Sequence, residues 1–278
     1  MIKVGETMLA WKAWLGRMFP FLYHVRIWQL QMARRWRDSR AGLRFASLQS
    51  EARYPYLCKK HKSVLRRRLA GTDPQLQENK IVNLRLSLPL VHGIVIRPGE
   101  TFSFWNRIGK VTAARGFLDG LVLSRGEVTS GTGGGLCQLA NMLFWLALHS
   151  PLTIAERHHH SFDMFPDDRR TVPFGSGTSV FYNYVDLRIY NGTNTSYQIQ
   201  LQLTDDFLVG ELYRETLPEA SYRVEERGHR FFETKGRWYR QNEIWRLTVQ
   251  PSGSIMKEEK IIDNLAEVKY ALRAVNSE

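Results

Sequence analysis

Three consecutive glycines, Gly133-Gly134-Gly135, stand two residues before Cys137, which opens a run to His149 free of glycine and proline. Within that run Leu139, Met142, Leu143, Leu146 and Ala147 recur at helical spacing, and Pro151 closes it. The pattern predicts a buried helix that begins at Cys137. Glycine reaches backbone angles closed to other residues and lets a second segment approach closely. The chain must therefore place a tight corner directly ahead of a core helix, with a thiol at its first position.

Around this feature the periodicity switches repeatedly. Residues 7–48 read as one or two basic, aromatic-rich helices interrupted at Pro20, carrying Trp11, Trp14, Met18 and Trp28. The favoured reading has these tryptophans packed on the main domain and the arginines solvated. A second basic stretch, Lys59 to Arg68, ends at the turn signal Gly71-Thr72-Asp73-Pro74. Residues 80–89 suggest a helix, and 93–104 a strand, a Pro-Gly turn and a second strand. Leu121–Leu123 and Leu152–Ala155 read as short strands. Val180 to Tyr190 alternates, and Asn191-Gly192 is expected to turn it back into Tyr197–Leu203 as a hairpin. The tail, 255–278, is charged and expected to contribute little. The expected class is α+β: a mainly antiparallel sheet packed on the helix that starts at Cys137. The divisions are a basic helical extension over 1–74, a core over 75–215, and a small β-rich segment with a charged tail over 216–278.

The net charge of +12 is unevenly spread. Residues 1–70 hold 16 Lys/Arg and 3 Asp/Glu, whereas the remaining residues hold 23 and 24. An anionic membrane surface is thus a candidate partner of residues 1–70, with nucleic acid ranked well behind it. Only Cys58 and Cys137 could form a disulfide, and a free thiol at Cys137 in a reducing compartment fits better. No window reads as a membrane span or a signal peptide, so a cytoplasmic place is expected, or a peripheral one at the inner membrane face.

A helix N-terminus offers unpaired N–H groups and a positive dipole end. A thiol there is expected to titrate below its usual ~8.5. The same N–H groups, shaped by Gly133, Gly134, Gly135 and Gln138, could hold an oxyanion, with Cys137 as nucleophile. The base would be His158 or His160, which share one side of an extended segment while His159 takes the other. Asp186, Asp163 and Asn183 are candidates for the group that orients the imidazole. Two other readings stand beside this one. The glycines suit a purely structural turn, with the cysteine as a small apolar residue. Cys137, His158, His160 and Asp163 can also be drawn as a zinc site, although no ligand spacing supports it. Neither a metal nor a cofactor is expected, and the lysine-Ser/Thr pair of a phosphate loop is missing.

Four ordered motifs resemble the VanW family: Arg97-Pro98-Gly99-Glu100-Thr101-Phe102-Ser103-Phe104, Gly133 to Gln138, Glu156-Arg157-His158-His159-His160-Ser161, and Asp186-Leu187. The similarity covers roughly residues 10–250. It implies an accessory protein of cell-wall metabolism and glycopeptide resistance. It further implies an L,D-transpeptidase-like reaction in which a cysteine takes an acyl group from a peptidoglycan stem peptide or precursor. By that resemblance Cys137, His158 and His160 fall on the family's cysteine and two histidines; Asp186 is taken beside them as the third catalytic group, and Arg157 and Ser161 as expected substrate contacts. Asn183-Tyr184 departs from the family's usual Gly-Ser, and Pro166-Asp167-Asp168-Arg169 only loosely echoes its Pro-Pro-Gly-Arg-Asp run. The alternative is a non-catalytic binding module for cell-wall precursors.

Overall fold

The computed structural model describes residues 20–67, 72–124, 127–159, 162–167 and 171–272. Helix α1 (Pro20–Arg40) precedes strand β1 (Tyr56–Val64) and helix α2 (Gln75–Val91). Strands β2 (Val95–Ile96) and β3 (Thr101–Ser103) lead into a single helical turn, α3 (Phe104–Ile108), and a hairpin of β4 (Asp119–Ser124) and β5 (Glu127–Thr132). Helix α4 (Cys137–Leu148) is followed by β6 (Thr153–Glu156), β7 (Phe162–Asp163), β8 (Arg188–Tyr190), β9 (Tyr197–Leu203) and β10 (Phe207–Arg214). Three long strands complete the chain: β11 (Ser221–Thr234), β12 (Arg237–Val249) and β13 (Ile255–Val268). The sheet orders are β1-β10-β9-β2, β3-β8-β6, β4-β5 and β11-β12-β13-β7. Of these strand pairs only β13 with β7 is parallel, so the fold is α+β with mostly antiparallel sheets.

The apolar run after Cys137 forms the centre of the core. Leu139, Leu143, Phe144 and Leu146 of α4 are fully buried with Leu84 of α2 and Phe102 of β3. Gly210 of β10 lets the helix in, because a Cβ there would stand 2.6 Å from the Met142 sulfur.

Several expectations change here. Residues 56–64 are not helical: they form an edge strand whose Lys60 and Lys62 point outward, and Lys60 lies opposite its ion-pair partner Glu211 at 2.6 Å. Charges on exposed edge positions guard against unwanted pairing, and here they conceal the alternation beneath them. The strands around the Pro-Gly turn exist but do not pair with each other, since β2 joins β9 and β3 joins β8. Nor does Asn191-Gly192 make a hairpin. The buried Asn191 amide donates to Ile96 O and Thr195 O and passes the chain from one sheet to another. Upstream, Phe181 to Val185 closes into a turn of its own. The charged tail is no bystander either: β13 buries Ile262, Ala266 and Val268.

The favoured packing of the first helix holds in part: Arg35, Arg37 and Arg40 are exposed as expected, but Trp28 is exposed as well. Trp28 and Trp36 of α1 are 60% and 58% exposed, whereas Arg34 is only 8% exposed. Charge, not tryptophan, seats the helix. Arg34 grips both carboxylate oxygens of Glu156, and Asp38 receives the Arg188 guanidinium at 2.7 and 2.6 Å. Trp11, Trp14 and Met18 lie outside the described residues.

Candidate functional site

The three glycines are required by close packing. A Cβ on Gly134 would sit 2.1 Å from the Gly120 carbonyl, and one on Gly135 would sit 2.2 Å from Lys80 Cγ. Gly133 and Gly135 also have φ of 77° and 90°, open to glycine at little strain. The fully buried Asn83 of α2 ties this corner down. Its amide donates to Gly134 O at 3.0 Å and Leu118 O at 2.9 Å, and its carbonyl accepts from Leu118 N at 2.8 Å.

Cys137 thus heads α4 in a fixed place, half-buried and packed on the core. Burial pushes its thiol above the ordinary range and outweighs the N–H groups of Val180 and of Cys137 itself, which pull the other way. The lowered pKa expected from the helix terminus is not found. Cys58 is also a free thiol, and burial raises it to about 11.

Cys137 opens on a cleft of about 250 Å³. Its floor is α4, where Gln138 donates to Ser63 Oγ at 2.9 Å and Val64 O at 2.8 Å, bracing the helix against β1. His61 of β1 lines the cleft too, its ring 6.0 Å from that of Trp145. Burial, then the neighbouring Lys59, lowers its pKa. Lys80 comes from α2, with its ammonium on Leu65 O and Gln77 Oε1, and burial brings it down to about 8. Leu121 and Leu123 of β4 add to the lining, and a further wall is the segment 171–177, including Ser176. Ser176 is 3% exposed and its hydroxyl has no hydrogen-bond partner.

That wall is clamped from the far end of the chain. Asn242 donates to Phe174 O at 2.8 Å, and Asn264 braces Asn242 at 2.8 Å. A Cβ on Gly175 would meet the Asn264 side chain at 2.1 Å. Arg157 holds the same loop: its guanidinium donates to Gly175 O and Gly177 O and stacks 5.0 Å over Phe144. Burial lowers Arg157 to about 10. Its contacts are structural, so it shapes the cleft through the loop and is not placed as the expected substrate contact.

His158 is not among the residues that line the cleft. Residues 178–180 contact both α4 and His158 through their N–H groups. Thr178 donates to Asn141 of α4 at 2.6 Å, Ser179 to His158 O at 2.8 Å, and Val180 toward the Cys137 sulfur. The His158 ring meets Glu156 at 2.9 Å. Asp186 is not its orienting group. It is fully buried, accepting from Ser103 Oγ at 2.6 Å, Trp105 N at 3.1 Å and Arg188 Nε at 3.0 Å, and burial raises its pKa. Asp163 serves Arg240 and Tyr270. Asn183 lies in the turn from Phe181 to Val185, and His160 and Ser161 lie outside the described residues. Among the described residues no three His, Cys, Asp or Glu side chains converge as metal ligands.

Of the residues singled out from the sequence, Gly135, Cys137 and Gln138 line this cleft, and His61, Ser63, Lys80 and Ser176 line it without having been singled out. The two-residue spacing of His61 and Ser63 was the signal available, hidden in a run of lysines.

The fold and the cleft together define a class: an α+β protein built around a glycine-cornered cysteine at the head of a buried helix. The family model described as "VanW like protein" matches residues 79–213. The chain is 32% identical over 264 residues to the Vancomycin B-type resistance protein VanW of Enterococcus faecalis (strain ATCC 700802 / V583), covering 93% of this chain and 94% of that one. The chain belongs to the VanW family. It is also 29% identical over 134 residues to the uncharacterized protein YoaR of Bacillus subtilis (strain 168), covering 47% of this chain and 42% of that one. No solved structure matches it.

Proposed function

We propose that this protein is an accessory factor of glycopeptide resistance that binds a peptidoglycan precursor, by its stem peptide, in the Cys137 cleft. Similarity to a vancomycin B-type resistance protein supports the setting. The carrying observation is the buried, partnerless Ser176 hydroxyl in the cleft wall, a polar group held ready for a ligand. The cleft offers apolar surface from Met142, Trp145 and Val172, and its charged lining residues are basic, Arg67 and Lys80. That combination suits a short peptide bearing a carboxylate. Calorimetric titration with a soluble stem pentapeptide tests this. Ser176→Ala is expected to weaken binding about fivefold, the worth of one hydrogen bond. Cys137→Ser should leave affinity within about twofold, since a hydroxyl replaces a thiol of similar size. Absence of binding by the folded protein at millimolar peptide would refute the reading.

A second reading is favoured by one feature, a cysteine at the first position of a buried helix on the lining of that cleft. In it the Cys137 sulfur attacks a peptide carbonyl and forms a thioester. The displaced amine takes up the thiol proton, and the N–H groups of Cys137 and Val180 serve the oxyanion. Intact-mass measurement after incubation with the stem peptide distinguishes the two. A stable adduct lost in Cys137→Ala supports acyl transfer, and an unmodified protein that still binds supports the binding module.

A further inference from the structure

Helix α1 carries a second, independent surface. Arg34, Asp38 and Gln31 turn toward the core, the last donating to Tyr182 O at 2.7 Å. At ~100° per residue, Val25, Trp28, Met32 and Trp36 fall within an arc of ~80° on the opposite side of the helix. Trp28 and Trp36 are 60% and 58% exposed, and Val25 is 42% exposed. Arg35 borders this stripe on one side, and Arg26, Arg37 and Arg40 border it on the other, all exposed. Arg40 lies 4.3 Å over the Trp36 ring. The helix holds one acid, Asp38, and Arg188 neutralises it. The outer face is therefore aromatic along its centre and uniformly positive at its margins.

A soluble partner groove would need the tryptophans only. The arginine margins add a requirement for negative charge over the length of the helix. Tryptophan settles at the level of lipid headgroups, where its ring is half in and half out of the apolar layer, and arginine at the same depth pairs with phosphate. We propose that the outward face of α1 docks the protein on an anionic bilayer surface, with the helix lying flat and Trp28 and Trp36 inserted among the headgroups. The ion pairs of Arg34 and Asp38 make this a rigid mount, since the helix cannot roll without exposing Glu156 and Arg188. The inference does not rest on the cleft reading.

Flotation of the full chain with vesicles tests it. The protein is expected to float with phosphatidylcholine–phosphatidylglycerol vesicles and not with phosphatidylcholine alone. Trp28→Ala/Trp36→Ala should lower the partition coefficient at least about tenfold, by removing two partly inserted rings. Arg35→Gln/Arg37→Gln should lower it about fivefold for each charge. Trp238→Ala, which removes an exposed tryptophan on β12, should leave it unchanged. These sites are on the surface, so circular dichroism should show all variants folded. Equal flotation of wild type and the Trp28/Trp36 variant overturns the proposal, as does equal binding to neutral vesicles. Loss of self-association or of DNA binding in that variant, with no flotation by wild type, overturns it in favour of a second copy or nucleic acid.

Discussion

At the scale of single residues, Cys137 is where two effects oppose each other. The start of α4 favours a thiolate and the packed core disfavours it, and burial prevails. Iodoacetamide at neutral pH should accordingly modify Cys137 and Cys58 slowly in the native protein and both rapidly in denaturant; fast labelling of native Cys137 would contradict the geometry. Two other residues govern acid stability. Burial holds His149 down at about 4, with its ring nitrogen on Trp145 O at 2.9 Å. Its neutral form is the folded form, so its contribution is complete above ~6.5 and fades as pH falls toward 4. Glu156 is held at about 2: burial opposes its charge, but hydrogen bonds from His158 and Arg34 outweigh that. Its contribution is present above the unfolded value near ~4.5 and fades as pH falls toward 2. Each amounts to about 3 kcal/mol. Urea unfolding followed from pH 7 down should thus steepen in two stages, and His149→Gln should flatten the upper one.

Among the elements, the glycine corner and α1 are fixed by different physics. Gly134→Ala forces a methyl into the Gly120 backbone and should lower stability by more than about 3 kcal/mol, read as a drop in thermal midpoint. Asn83→Ala takes the hydrogen-bond partner from the buried Gly134 carbonyl and from the Leu118 N–H, while Leu118 O keeps Gly133 N, and should cost about 2–3 kcal/mol. Arg34→Ala removes the bidentate partner of Glu156 and leaves it His158, the Asp186 N–H and the more distant Arg188, so it should cost roughly 2 kcal/mol, and a double-mutant cycle with Glu156→Gln should recover much of that. The elements that could be read in advance were those whose side chains carry a strong period of their own. Helix α4 announced itself through leucines with no breaker among them, and α2 through Ile81, Leu84 and Leu88. Strand β1 did not, because lysines on its outer positions overwrote its alternation. The charged seating of α1 through Arg34 and Asp38 was invisible for another reason: its partners Glu156 and Arg188 lie more than a hundred residues away, and no local pattern shows that a half-buried carboxylate awaits an arginine.

Over the whole molecule, the cleft is built from parts that do not adjoin in the chain. One wall is β1, another is the loop 171–177, and that loop is held by Asn242 and Asn264 from the last two strands. The sequence divisions obscured this, since the basic N-terminal region and the charged C-terminal tail look like additions to a central core. The family match spans residues 79–213, yet His61 and Ser63 precede that span and Asn264 follows it. Asn264→Ala should loosen the wall, seen as faster amide hydrogen exchange at Ser176 and Gly177 with little change near Cys137. Unchanged protection would remove the clamp from the account. The dependence on Asn264 also orders events on the ribosome. A nascent chain can bury α4 and close most of its sheets well before its last strand emerges, but the cleft wall is secured only after Asn264 has cleared the exit tunnel.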